Sequence, residues 1–423
     1  MLKRILFSFS VMMGILVFNF HPVAAQQTVV GQNSSSIDVQ TVQAAVDQGG
    51  TVLLKGTFDF GDRGRVNITK DVKLIGEVGL PGIPQTKMKG GFWAFHSPLP
   101  LTLRPETPGP AITIQNIHFD GALWAPVCIA YARGVTISGN KISNVKPYDS
   151  GEPIMGKPGL NRQNGIIFNS GYTQPIQTRK YIPNLLTGNF IIEDNDIDLA
   201  NEVPTKTMAQ GVYVQWTTGA TVQILRNTIV NCARSSIDTV DNYLGQEGSG
   251  MIIIKDNKLI TGIEGIPLPT PAYPNIMTIG WFFDVSGGSD PQRNFKHYVL
   301  NNAIRSRGKT SVGITAFTDG IVVVNNNILS EGAESLPLFI ASSDGYVAYN
   351  RMEGESNRPA VLIRPWKPLK ASKNVLISND FSQFKGLSAE VVFEKDASNN
   401  FYSGIRCKIS DNGSNNVIQI SEK

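Results

Sequence analysis

Cysteine is scarce in this chain of 423 residues, and its three cysteines, Cys128, Cys232 and Cys407, lie far apart. An odd count at wide spacing argues against a disulfide-rich framework and against the paired spacing of a zinc site. The histidines are equally scattered and suggest neither a metal site nor a catalytic triad. We therefore expect the cysteines to fill a core as small apolar residues, with their redox state left open.

The chain also lacks an excess of charge of one sign, with 38 basic and 34 acidic residues and a formal charge of +4. Without Lys3 and Arg4 of the N-terminal segment, two of those 38 basic residues are lost and the charge falls to +2. So balanced a chain argues against nucleic acid and anionic membranes as partners. Any acidic ligand must therefore be attracted by a local patch.

A long apolar run is present at the N-terminus, over residues 5–20, directly after the basic Lys3 and Arg4. It is short for a membrane span of about 20 residues, and the small residues at 23–25 suit a signal peptidase. We predict that residues 1–25 are a cleaved signal peptide, the alternative being a retained anchor. The mature protein is then secreted or periplasmic, with no membrane segment.

No linker divides the remaining chain, because its glycines and prolines are spread throughout and no charge run interrupts it. A length prior of ~150 residues per domain suggests two or three domains, but that prior fails for long all-β folds. We predict one domain over residues 26–423 and expect a monomer.

A short unit recurs eight times: an apolar residue, two residues, Asn, one residue, and an apolar residue, as in Ile224, Asn227 and Ile229. Apolar residues that alternate before the Asn indicate a strand with one buried face. Asn tolerates a left-handed backbone, so it is expected to turn the chain. The asparagines are Asn140, Asn195, Asn227, Asn257, Asn302, Asn326, Asn350 and Asn379.

The repeat predicts an all-β solenoid, a right-handed parallel β-helix. Its period of 24 residues near the C-terminus is typical of a solenoid, in which coils stack because one coil cannot bury its apolar face alone. The hand is expected to be right because crossovers between parallel strands are right-handed. The asparagines should stack as a ladder along one edge. A second strand precedes each unit, at residues 165–168, 211–215, 236–240, 276–280, 312–317, 338–342, 360–364 and 390–393.

The start of the fold is predicted to be a capping helix over about residues 38–48. Val39, Val42 and Val46 share one helical face, Asp38 is the expected N-cap, and the Gly49-Gly50 pair ends the helix. Residues 51–55 are then the expected first strand. A solenoid needs such a lid, because its open end exposes core and unpaired strand edges.

The sequence resembles the pectate-lyase-like right-handed parallel β-helix superfamily. The resemblance lies in VQTVQAAVDQGGTVLLKGTFDF at residues 39–60, ITKDVKLIGE at 68–77, ITIQNIHF at 112–119 and the units similar to VTISGNKI. It implies the fold for essentially the whole mature chain. The superfamily contains lyases, hydrolases, esterases, epimerases, tailspikes and non-catalytic surface proteins, and the calcium, arginine and aspartate motifs of its pectate lyases and polygalacturonases are missing here.

Long loops place the expected ligand groove between residues 145 and 293. Successive asparagines of the repeat are 55 residues apart from Asn140 to Asn195 and 45 apart from Asn257 to Asn302, and function in a solenoid lies where loops interrupt the coil. Polysaccharide, and an acidic one, is the expected partner.

Asp238 is the predicted floor of this groove. Strand alternation turns Ile237 to the core and Asp238 outward, where it can act as general acid or base. With Asp284, it can instead ligate Ca²⁺, a candidate cofactor. The alternative for Asp238 is a solvated turn carboxylate.

Further candidates surround Asp238 in the sequence. Asp241, Arg234 and Lys206 are proposed to share catalysis, since a cation that neutralises a uronate carboxylate acidifies the neighbouring C–H for β-elimination. For substrate binding we propose Gln215, Arg179 and Lys180, with Trp216 and Trp281 as stacking platforms on the neighbouring coils. The alternative for both tryptophans is that they pack loops against the coil. The alternative for each basic residue is a solvated surface charge.

The sequence is compatible with three functions. The first is a polysaccharide lyase or related uronate enzyme, favoured by Lys or Arg beside Asp238. The second is a glycoside hydrolase, favoured by two carboxylates with no cation between them. The third is a non-catalytic glycan-binding or surface protein, favoured by a groove filled with its own loops.

Overall fold

The computed structural model describes most of residues 26–423. The described residues are 26–79, 82–100, 102, 107–151, 161–174, 180–200, 207–261, 275–281, 296–307, 311–366, 369–386 and 389–421, with only the backbone at 275–281. The predicted signal peptide lies outside them. No helix in these ranges is long and apolar enough to cross a membrane.

The described strands form three parallel sheets that run side by side along the molecule, with 14, 11 and 12 strands. Sheet 1 contains Gln26–Val30, Gly50–Lys55, Val72–Gly76, Ala111–Gln115, Ala132–Ser138, Leu186–Glu193, Thr221–Leu225, Met251–Lys255, Lys296–Leu300, Val322–Val324, Tyr346–Ala348, Val375–Ile377, Phe401–Ile405 and Val417–Ser421. Sheet 2 contains Thr57–Asp59, Thr86–Lys89, Ile117–Asp120, Lys141–Ser143, Asp196–Asp198, Thr228–Cys232, Lys258–Thr261, Ala303–Arg307, Asn327–Glu331, Arg351–Ser356 and Asp380–Gly386. Sheet 3 contains Val66–Asn67, Phe95–Ser97, Val127–Ile129, Asn161–Phe168, Thr207–Gln215, Ser235–Val240, Asn275–Trp281, Val312–Ala316, Leu336–Ile340, Val361–Ile363, Val391–Phe393 and Ile409–Asp411.

This architecture is a right-handed parallel β-helix, as the repeat predicts. One coil contributes a strand to each sheet in turn, and every named pair of neighbouring strands is parallel. The second strand series of the sequence analysis forms sheet 3, with boundaries that differ by a few residues.

The core is a set of apolar columns along the solenoid axis. In sheet 1, alternate side chains of each strand point inward, and each inward residue lies in register with the next coil's equivalent. The column predicted from the repeat is confirmed, with no exposed surface at Ile224, Ile254, Val299, Val323 or Val347.

The asparagine ladder is also confirmed. All eight asparagines are buried, and the Asn227 side chain shows the pattern. Its Nδ2 donates to the Ile192 carbonyl at 2.9 Å and to Oδ1 of Asn257 at 3.0 Å, while its backbone N–H donates to the same Oδ1. The ladder therefore satisfies buried polar groups at the turn between sheets 1 and 2.

The left-handed residue of this turn is the one before the asparagine, so the expectation for Asn itself is wrong. Arg226, Asp256 and Asn301 have φ of 53°, 57° and 55°. The reason is geometric: the residue before each asparagine makes the bend, and the asparagine side chain then points inward to the ladder.

The N-terminal helix spans Ser35–Gln48 and ends at Gly49, where φ is +78°. Asp38 is not the N-cap; Ser34 holds that position, and the buried Asp38 carboxylate accepts backbone N–H groups of Gln32, Ser34 and Asp59. The first strand is Gln26–Val30, which precedes the helix, rather than residues 51–55.

Candidate functional site

The outward face of sheet 3 carries the candidate site. In the strand Ser235–Val240, Ile237 belongs to the main core, and Asp238 lies beside Tyr213 of the preceding strand. Tyr213 belongs to a separate aromatic cluster outside that core. The predicted alternation at Asp238 is therefore correct.

The expected exposure of Asp238 is wrong, because its accessible surface is 0 %. Its Oδ2 accepts a hydrogen bond from Nε2 of Gln210 at 2.5 Å and lies 3.6 Å from Nε of Arg234, itself only 7 % exposed. A fully buried carboxylate needs such partners, because desolvation otherwise destabilises its charged form.

A chain of buried side chains leads to Asp238 from the N-terminal coils. Nε1 of Trp124 donates to Oδ1 of Asn164, and Nδ2 of Asn164 donates to Oε1 of Gln210, each at 3.0 Å. Gln210 then donates to Asp238. We call these four residues the first relay. The direction of each amide is fixed because the relay begins at an indole N–H, which only donates, and ends at a carboxylate, which accepts.

A second relay ends at Asp241. Oε1 of Gln215 accepts from Nδ2 of Asn169 at 2.6 Å and from the Tyr213 hydroxyl at 2.7 Å. Nε2 of Gln215 donates to Oδ2 of Asp241 at 2.8 Å, and Asp241 is buried. The predicted residues Gln215, Asp238 and Asp241 are thus brought together, with Tyr213 beside them.

The Tyr213 hydroxyl stays protonated in this setting. Burial raises the pKa of Tyr213 well above its usual value, and the nearby Tyr172, Asp238 and Asp241 raise it further. A phenol that keeps its proton donates a hydrogen bond, here to Gln215, and is not a nucleophile.

Trp216 is a packing residue here, so its expected place at an exposed groove border is wrong. It is 6 % exposed and has a left-handed backbone with φ of 64°. Its ring lies over Gly171, where an added Cβ would come within 2.4 Å of Cζ3. The loop-packing alternative describes this side chain.

Several predicted residues fall outside this arrangement. Arg179, Lys206 and Asp284 lie outside the described residues, as does the Trp281 side chain, although the Trp281 backbone pairs with Val240. Lys180 is exposed and hydrogen-bonds Gln174 through its backbone.

Sequence reasoning named Gln215 but missed the other relay amides, Asn164, Asn169 and Gln210, and it also missed Tyr213. A signal for the amides was present: Asn164 and Gln210 are 46 residues apart, and so are Asn169 and Gln215. Two amide pairs at one spacing indicate matched positions on neighbouring coils. Tyr213 has no comparable signal, because an aromatic residue in a strand is usually core.

The described residues do not fit the calcium site suggested for Asp238. A guanidinium 3.6 Å from the carboxylate repels a divalent cation. In the ranges given above, no group of three or more His, Cys, Asp or Glu is arranged to hold a metal ion. We therefore derive no step through calcium.

Comparison with known proteins identifies the fold. No family model and no curated protein matches the sequence. The structure is similar to the A-module of the mannuronan C-5 epimerase AlgE6 of Azotobacter vinelandii, with a TM-score of 0.52 and 13% identity, over 91% of this chain and 96% of that one. The A-module of AlgE4, a mannuronan C-5 epimerase of the same organism, gives a TM-score of 0.50 at 12% identity, over 94% of this chain and 98% of its own.

This likeness shows a parallel β-helix fold. At such low identity the likeness concerns the fold alone, and function must be argued from the site.

Proposed function

We propose that this protein acts on an acidic polysaccharide, as a lyase or a related uronate enzyme. The observation that carries the proposal is the buried Asp238–Arg234 ion pair on the outward face of sheet 3, beside the protonated Tyr213. Buried ion pairs are costly to desolvate and contribute little net stability. Clusters of titratable groups in such places are typical of functional sites.

The choice of an acidic polysaccharide has support from the fold comparison. The two similar A-modules are by name mannuronan C-5 epimerases. We extend only the class of substrate to this chain, since the catalytic motifs of better-known β-helix families are missing from its sequence.

The geometry suggests two roles in β-elimination. Arg162 is half-buried, donates to the Tyr172 hydroxyl at 2.7 Å and lies over the Trp124 ring; it is proposed to neutralise the uronate carboxylate. Tyr213 is proposed to turn its hydroxyl from Gln215 to the leaving glycosidic oxygen and to donate its proton there. Lys206, as the acceptor of the C–H proton, remains a proposal from the sequence.

Asp238 and Asp241 then act through Tyr213 rather than on the substrate directly. Their charges keep its hydroxyl protonated, and the second relay orients it. The hydrolase alternative fits less well, because the Arg234 cation lies beside one of the two carboxylates, whereas a glycosidase pair needs one protonated acid and one ionised carboxylate on either side of the glycosidic bond.

The test is turnover of a panel of uronate polysaccharides, followed by absorbance of unsaturated ends and by NMR of C-5 configuration. Tyr213→Phe keeps the ring and should lower kcat by about 100-fold or more, the usual contribution of a general acid. Tyr346→Phe, at an exposed tyrosine of sheet 1, is the matched control. It should keep the turnover of the parent in both assays. Equal turnover by parent and Tyr213→Phe, or none by the parent, refutes the proposal.

A non-catalytic glycan-binding protein is the second candidate. It is favoured by the complete burial of Asp238 and the near-complete burial of Trp216, which leave little catalytic surface open to a glycan. Binding to the same panel without any turnover is the outcome expected for it.

A further inference from the structure

Two arginines lie on aromatic rings at the N-terminal end of sheet 3. The Arg63 guanidinium carbon is 5.4 Å from the ring centres of both Phe92 and Tyr148. That of Arg65 is 4.9 Å from Phe92 and 4.8 Å from Trp93. Stacking on aromatic faces holds a guanidinium flat and limits its freedom.

Neither arginine has a carboxylate partner within the described ranges. Nε of Arg65 donates to the Phe92 carbonyl at 3.0 Å, and the terminal amino groups of Arg63 and Arg65 hydrogen-bond no described residue. Burial lowers the pKa of Arg65, and the neighbouring Arg63 charge lowers it further. Two like charges are thus held close together without an internal anion, which favours binding of an external one.

The arginine pair is continuous with the candidate site. Phe92 and Trp93 contact Trp124 at ring distances of 5.8 and 4.9 Å, and Trp124 begins the first relay to Asp238. Five strand-to-strand steps separate Val66–Asn67 from Ser235–Val240 in sheet 3, a distance of about 24 Å at ~4.8 Å per step.

We propose that Arg63 and Arg65 form a remote subsite that binds a carboxylate of an acidic glycan whose chain runs along the solenoid axis toward Asp238. The position of the reacting end rests on the proposed function, whereas binding at the arginines does not. The flat guanidinium fork matches a carboxylate in bidentate fashion. Arg63 is exposed and Arg65 half-buried, so both are accessible to a polymer.

The subsite is tested by calorimetric binding of short and long oligouronates, the long ones able to span about 24 Å. Arg63→Gln/Arg65→Gln should weaken long oligomers by about tenfold or more, as for the loss of charge-assisted hydrogen bonds, and should weaken short ones less, because only a long oligomer occupies both sites at once. The exposed pair Arg406→Gln/Lys408→Gln removes the same charge at the far end and should affect neither. Arg63→Gln alone, at an exposed position, guards against misfolding of the double variant and should show part of the effect.

Further outcomes distinguish failure of the subsite from failure of the proposed enzyme function. Equal affinity for a carboxyl-reduced polymer, or equal weakening in the far-end control, overturns the subsite. Tyr213-dependent turnover with an unchanged KM for long oligomers in the arginine variant overturns the subsite alone. Arginine-dependent binding without turnover in any variant upholds the subsite and refutes the proposed enzyme.

Discussion

Asp238 is fully buried between the Gln210 amide and the Arg234 guanidinium. Replacing it with Asn keeps the shape but removes the negative charge 3.6 Å from the buried Arg234 guanidinium. We predict that Asp238→Asn lowers the free energy of unfolding by about 3 kcal/mol, the usual result of breaking a buried pair. Urea denaturation measures it.

The control for this prediction is Asp256→Asn, at an exposed turn position where φ is 57°. Asn tolerates that backbone, and a surface charge contributes little, so the change should stay within about 0.5 kcal/mol. Equal effects of the two substitutions would contradict a structural ion pair at Asp238.

His96 is a second residue whose charge state is set by burial. Its pKa is lowered from 6.5 to about 4, mainly by desolvation and also by the Arg65 charge, against the opposing effect of its hydrogen bond to the Cys128 carbonyl. Between these two values the unfolded chain binds a proton that the folded one does not. Stability from this residue is therefore complete above pH 6.5 and lost as the pH falls to about 4.

We predict that His96→Asn, which retains a donor, flattens this part of the pH profile. The parent should lose up to about 3 kcal/mol more than the variant between these pH values. Unfolding free energies of both proteins from pH 4 to pH 7 provide the measurement. Parallel profiles would show that His96 is not buried in its neutral form.

For single residues, the sequence predicts which face of the strand a side chain lies on, but not how deeply that side chain is buried. Ile237 and Asp238 face opposite ways because alternation is a local property of a strand. The burial of Asp238 depends on Gln210 and Arg234, and on packing that the strand's own pattern does not encode. Trp216 was misplaced for the same reason, since its packing against Gly171 is a contact between coils.

At the scale of one element, the turn between sheets 1 and 2 is a chain of mutual hydrogen bonds. Asn326 accepts from the backbone N–H and Nδ2 of Asn302 and donates to Oδ1 of Asn350. Its removal leaves buried polar groups on both neighbouring coils without a partner, at about 1–3 kcal/mol for each group.

We therefore predict that Asn326→Ala lowers the free energy of unfolding by about 3 kcal/mol or more. Asn327→Ala is the matched control, because Asn327 is the next residue but is exposed, and it should cost less than about 0.5 kcal/mol. Chemical denaturation compares them. A similar loss at both positions would show that the ladder adds nothing beyond local turn preference.

The ladder was predictable because one residue type recurs with apolar neighbours at fixed offsets. The residue that makes the bend was not, because Arg226, Asp256 and Asn301 share a backbone conformation but no side-chain type. The predicted start of the helix was wrong for a similar reason. Asp38 has the chemistry of an N-cap, but its carboxylate accepts hydrogen bonds from backbone groups of the first coil instead.

At the scale of the whole molecule, each coil contacts mainly its two neighbours, so stability should propagate in one dimension. In the sheet 1 column, Val299 lies directly against Val323, whereas Leu74 is seven coils from Val323, about 34 Å at ~4.8 Å per coil. All three are fully buried.

We predict that Val299→Ala and Val323→Ala, combined, depart from additivity by at least about 0.5 kcal/mol, because their cavities merge and the intervening contact is lost only once. Leu74→Ala combined with Val323→Ala should be additive within about 0.3–0.5 kcal/mol, since no shared neighbour joins them. Unfolding free energies of the parent, the two single variants and the double variant in each cycle supply the coupling. A coupling between the distant pair as large as that between the adjacent pair would mean that the coils respond as one rigid body, and the nearest-neighbour description would then be wrong.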